Sequence, residues 1–112
     1  METSSPQTVQ LTTARILLEL SIPAHRMGYL QLCIAIPTFA GNKQQSMAKE
    51  LYPSVANAVG CLDWRAVEHA IRTVIADAWK RRNPEIWAQY FPGSQRAPSN
   101  KQFIATLAEY LE

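Results

Sequence analysis

The side chains that could do chemistry crowd into one stretch, "DWRAVEHAIRTVIADAWKRR", residues 63–82. Near its start stand Arg65, Glu68, His69, Arg72 and Thr73. These are the residue types that hydrogen-bond base-pair edges. An arginine forks two donors onto guanine O6 and N7, a glutamate accepts from cytosine N4, and a threonine meets a thymine methyl or a phosphate. A histidine donates to guanine or phosphate, more strongly when protonated. Trp64, just ahead, either stacks on a sugar or fills the gap between two helices.

Other chemistry finds no support. There is no GxSxG, no glycine-rich phosphate loop and no paired acid–base spacing, so nothing argues for an enzyme. Glu85, Glu109 and Glu112 read as helix-surface charges. Cys33 and Cys61 lack a CxxC or Cys/His spacing, which implies reduced thiols partly in the core, with no metal and no cofactor. His25 has no second ligand spaced for it and reads as a local packing or capping residue.

Helical periodicity must position the five. With about 100° per residue and Arg65 as origin, His69, Arg72 and Ala76 fall within roughly 40°, flanked by Glu68 and Thr73. Val67, Ile71, Val74, Ile75 and Ala78 gather opposite. One helix thus carries a dry face and a hydrogen-bonding face. Asp63 caps its start. Lys80, Arg81 and Arg82 either reach phosphates or form a solvated cluster at the negative end of the dipole.

The preceding "PSVANAV", begun by Pro53 and stopped by Gly60, makes a helix-turn-helix with it over about residues 53–82. The small Ala56 suits a close helix approach. In such motifs the start of the second helix enters the major groove. The turn is about one residue longer than usual if Val67 is the core anchor.

The remaining elements read as helices too. Val9, Ile16, Leu17 and Leu20 predict one over about 8–20, ending at "SIP". Pro23 opens the next, about 24–36, which Pro37 should kink or end. "KQQSMAKELY" is a short helix. Asn83 and Pro84 start another, with Trp79 and Trp87 in the core or lining a groove. After the loop "PGSQRAPSN", Ser99 caps "NKQFIATLAEYLE". The fold class is therefore all-α, about six helices, without repeats or strand alternation.

The totals agree. The chain has 112 residues, 47% hydrophobic and 18% charged, which fits one folded domain. Residues 1–8 read as a flexible N-terminal segment and 9–112 as the helical domain. No apolar run is long enough for a membrane span, and the default compartment is the cytoplasm. A net charge of +2 permits a nucleic-acid partner without demanding one.

Five strings carry a family resemblance: "IPAHRMGYL" (22–30), "LYPSVAN" (51–57), "AVEHAIR" (66–72), "ADAWKRRN" (76–83) and "PSNKQFIATLA" (98–108). Their order and spacing resemble the C-terminal effector domain of the stage 0 sporulation protein A family, response regulators that start endospore formation. The resemblance runs from about residue 9 to the C-terminus. It implies a wingless six-helix domain that binds double-stranded DNA at short TGTCGAA-like boxes. It also implies contact with RNA polymerase sigma factors, near residues 87–98, and a second copy on tandem boxes. Glu68 and Arg72 match the family's reading helix, whereas Ala66, His69 and Thr73 depart from it. The family usually has arginine at the first two of those three positions and histidine at the last. Arg65 stands one residue before the expected arginine, about 100° around the helix. A different or relaxed operator preference follows. The receiver domain that normally precedes this effector finds no counterpart in these residues, so phosphorylation control is expected to lie outside them or to be absent. The competing expectation is a helical protein-interaction module that keeps the fold but has lost DNA readout.

Overall fold

A computed structural model describes residues 6–111. Its helices are α1 (Pro6–Glu19), α2 (Met27–Gly41), α3 (Tyr52–Val59), α4 (Trp64–Lys80), α5 (Pro84–Tyr90) and α6 (Asn100–Ala108). A π-helical turn, Met47–Leu51, feeds directly into α3, and a 3-10 turn, Glu109–Leu111, follows α6. No strand occurs among the described residues, so the fold is all-α and wingless there. Residues 1–5 of the expected flexible segment lie outside the described residues. Pro6 opens α1, where its missing N–H costs nothing.

Two helix ends are set by left-handed residues. After α1, Ile22 N–H donates to Leu17 O and Ser21 N–H to Leu18 O, both at 3.0 Å, with Ser21 at φ 66°. This six-to-one closure satisfies carbonyls the helix leaves free. After α3, Cys61 N–H closes the same ring onto Ala56 O at 2.8 Å, and Gly60 takes φ 74°. Gly60 is there for its backbone freedom, since a Cβ would meet nothing within 4 Å.

Helix α2 differs from expectation at both ends. Pro23 sits in a turn that ends at Arg26, and the helix starts only at Met27. It then runs through Pro37 to Gly41 rather than stopping at 36. A proline inside a helix costs about 3 kcal/mol. Burial offsets that: Ile36 and Phe39, on either side of the proline, are both buried, and each such side chain contributes about 1.5–3 kcal/mol. The Thr38 hydroxyl donates to Ile34 O at 2.7 Å, one turn back, a contact of the kind that accompanies a bend. "KQQSMAKELY" is likewise not one α-helix. Residues 43–46 are loop, and Ser46 caps the π-turn by accepting from Lys49 N–H. The closing segment holds α-helix only to Ala108 before tightening.

The core draws on all six helices. Trp87 is buried, and its Nε1 donates to Leu20 O at 3.1 Å, tying α5 to the end of α1. Trp87, Phe91 and Phe103 pack ring against ring, with Phe91 and Phe103 stacked at 5.5 Å. Trp87 thus takes the core place expected of it, and within residues 87–98 the inner and outer side chains separate. Trp87, Phe91 and Pro98 face inward, and Gln89, Pro92, Gln95 and Arg96 are exposed.

Helices α2 and α4 approach closely at Gly28. A Cβ at Gly28 would come within 2.6 Å of Ala70 O and 2.8 Å of Val74. Only a residue without a side chain lets the two helices cross at this depth. Gly28→Ala should accordingly destabilise the domain by about 2–3 kcal/mol, read as a lowered midpoint in urea unfolding. A second expectation concerns alkali. Burial, the hydrogen bond donated to Glu19 at 2.7 Å and the neighbouring Glu19 charge push the Tyr90 phenol from 10.0 up to about 12. The folded state thus holds this proton longer than the unfolded chain does. Its contribution is intact below about pH 10 and is lost as pH rises through about 12. Tyr90→Phe should flatten the stability loss across that window in alkaline circular-dichroism titrations.

Candidate nucleic-acid interface

Helix α4 divides as its periodicity required. Val67, Ile71, Val74, Ile75 and Ala78 are all at most 1% exposed. With that side sealed against the core, the opposite side faces solvent along the helix. The start is fixed by Asp63, whose carboxylate accepts from Arg65 N–H at 2.9 Å. Trp64 stacks on Tyr52 of α3, with ring centroids 6.0 Å apart and planes within 8°. Of its two expected roles, this is the filling of the gap between the motif's helices. Tyr52 is buried, which pushes its phenol above the ordinary value. Asn100 and Arg72 oppose that shift, and Glu68 adds to it.

The five singled-out residues share one ridge but are not equivalent. Arg65, His69 and Arg72 are exposed. The Arg65 guanidinium lies 5.4 Å from the Trp64 ring centre and 3.9 Å from Asp63, both solvent-facing contacts that are readily exchanged. Arg72 Nη2 lies 3.3 Å from His69 Nδ1. Every guanidinium nitrogen is a donor, so His69 accepts there through a neutral ring and keeps an N–H at Nε2. Thr73 is half-buried, and its hydroxyl donates to His69 O at 2.9 Å. Its proton is occupied within the helix, leaving lone pairs and a methyl for any outside partner. Glu68 is half-buried at the edge of a cleft of about 520 Å³ that Arg72, Tyr52, Asn100 and Lys101 also line. It forms no ion pair with Arg72 despite their one-turn spacing.

Two further elements abut the ridge. On one side the start of α6 is pinned to α4 by Asn100 Nδ2, which donates to Glu68 O at 2.9 Å. On the other, Arg26 at the start of α2 lines a groove of about 440 Å³ with Arg72, Thr73 and Lys80. Arg26 and Met27 also share a groove with His69 and Thr73. The basic end of α4 is less free than its sequence implied. Arg81 bonds Asp77 and Ser21 O, and Arg82 covers the Trp79 ring at 3.7 Å. Lys80 alone of the three keeps an uncommitted head.

This is a helix-turn-helix whose second helix is anchored on one side and open on the other. Residues 13–111 match the family model described as sporulation initiation factor Spo0A C terminal. The chain belongs to that family. As a family member it is a DNA-binding regulatory domain of the sporulation-initiation type, and the family is not an enzymatic one. Among the described residues no helix is long and apolar enough to cross a membrane. Among the same residues no cluster of three metal-ligating side chains occurs.

Reading the sequence for helix faces missed Arg26, Asn100 and Lys101. Each lies within a string of the family resemblance, "IPAHRMGYL" or "PSNKQFIATLA". Nothing in the periodicity of α2 or α6 says that their first turns flank α4, because that placement is set by packing between distant segments.

Proposed function

We propose that this chain is a sequence-specific reader of double-stranded DNA. It places the first turns of α4 in the major groove, with Arg65, Glu68, His69, Arg72 and Thr73 toward the base edges. The observation that carries the reading is the exposed Arg72–His69 pair beside Arg65 on a helix whose other face is sealed. The pair presents the remaining guanidinium donors of Arg72 and the Nε2–H of His69 side by side, two donors suited to adjacent acceptors in the groove. Glu68 adds an acceptor at the ridge edge. Thr73 contributes through its methyl or as an acceptor.

The wider partner set follows from the family reading. A second copy on an adjacent box and a polymerase sigma factor are proposed partners, the latter approaching the exposed residues between Gln89 and Arg96. The domain is proposed to act in the cytoplasm, as residues 9–112 acting together.

A second reading has one observation in its favour. Leu11, Leu18, Met27 and Leu30 are exposed apolar side chains on α1 and α2, which suits a protein-interaction module that no longer reads DNA. Salt separates the two. A groove reader loses duplex affinity steeply as salt rises, whereas an interaction module shows no duplex binding at low salt and still binds a protein.

Selection of duplexes from a random pool is the decisive experiment. The expected result is an enriched box that differs from the family's TGTCGAA-like sequence, or a relaxed form of it, because Ala66, His69 and Thr73 stand where the family has other residues. Enrichment of the usual box at full strength would show that those differences do not matter. Arg72→Ala should then weaken the enriched duplex more than a scrambled one, by about 1–3 kcal/mol of discrimination. An equal loss on both would reduce Arg72 to a phosphate contact.

A further inference from the structure

We infer that the starts of α2 and α6 form a pair of phosphate clamps, one on each side of α4, with Arg26 and Lys101 as their cations. The inference rests on the DNA-reading proposal above and adds which chain elements hold the backbone. A helix with its side chains is about 10–12 Å across, close to the ≈ 12 Å width of the major groove. A helix seated there has a phosphate strand rising on either side. Cations that grip both strands must therefore lie on both flanks of the ridge.

The structure places them so. On one flank Arg26 lines the groove shared with Thr73 and Lys80. On the other, Lys101 lines the cleft shared with Glu68 and Arg72. Arg26 and Lys101 are exposed, and no carboxylate among the described residues lies within ion-pairing distance of either. Asp77, the carboxylate lining the Arg26 groove, is engaged by Arg81 at 3.2 Å. Each cation stands in the first turn, or at the cap, of a helix whose positive dipole end adds to the same field. No side chain caps α2. At α6 the Ser99 hydroxyl takes only Gln102 N–H.

Both flanks are locked to α4 itself. Gly28 lets the α2 start lie against Ala70 O, and Asn100 holds the α6 start on Glu68 O. The clamps and the reading ridge are thus one rigid piece, and phosphate contact sets the depth at which α4 sits.

The test measures affinity of the whole chain, by fluorescence anisotropy across a salt series, for a pool-selected duplex and a scrambled one. Arg26→Ala and Lys101→Ala should each lower the slope of log affinity against log salt by roughly 0.9, and the double variant by about twice that. Both duplexes should lose affinity by the same factor, and the sequence preference should stand. Arg26→Lys and Lys101→Arg should restore the slope. Arg15→Ala, an exposed cation on α1, should leave it unchanged. If the parent chain binds duplex but the double variant keeps its slope, or loses affinity only for the selected duplex, the clamps are wrong and DNA reading survives. If the parent chain binds neither duplex at low salt, the DNA-reading proposal falls and takes the clamps with it.

Discussion

The crossing of α2 over α4 at Gly28 is the constraint on which the other features depend. It brings the α2 backbone against the Ala70 carbonyl and the Val74 methyls, which leaves little tolerance in depth. Once α2 is set, the apolar side of α4 has only one direction in which to bury itself. Val67, Ile71, Val74 and Ile75 follow it inward, and Arg65, His69 and Arg72 are turned outward by the same rotation. The chemistry of the ridge is a consequence of packing behind it. Trp64 on Tyr52 and Asp63 at the cap then fix where along its axis the ridge begins.

Much of this was legible in the residues because it is local. The two faces of α4 come from a 3.6-residue period, and the cap residues Asp63, Asn83 and Ser99 all do what their side chains predict. Gly60 marks its turn through φ alone. What the sequence concealed is non-local. Pro37 forecasts a break that Ile36 and Phe39 override from the core. The role of Trp64 depends on a tyrosine twelve positions earlier. Arg26 and Lys101 come from opposite ends of the chain, and no window of neighbours contains both. The withdrawal of Arg81 and Arg82 onto Asp77, Ser21 and Trp79 is likewise invisible to a reading that sees three basic residues in a row.

The family match and the departures at Ala66, His69 and Thr73 are compatible because the fold and the exposed ridge draw on different residues. The fold depends on the buried face, on Gly28 and on the caps. The ridge differs in its exposed heads, Arg65, His69 and Arg72, which lie outside that buried face. A histidine one turn from Arg72 replaces neither the charge nor the forked geometry of an arginine. It does hold Arg72 by a lone pair, which narrows where that guanidinium can point.

The π-helical turn at Met47–Leu51 has an implication for length. There Leu51 N–H reaches back five residues to Ser46 O at 2.9 Å, while Glu50 N–H also bonds that oxygen at 3.1 Å. A wide turn of this kind holds one more residue than an α-turn would over the same rise. It behaves as a buffer: a relative one residue shorter at this point could wind tight, deliver Tyr52 and Val55 to the same places, and leave the geometry downstream undisturbed.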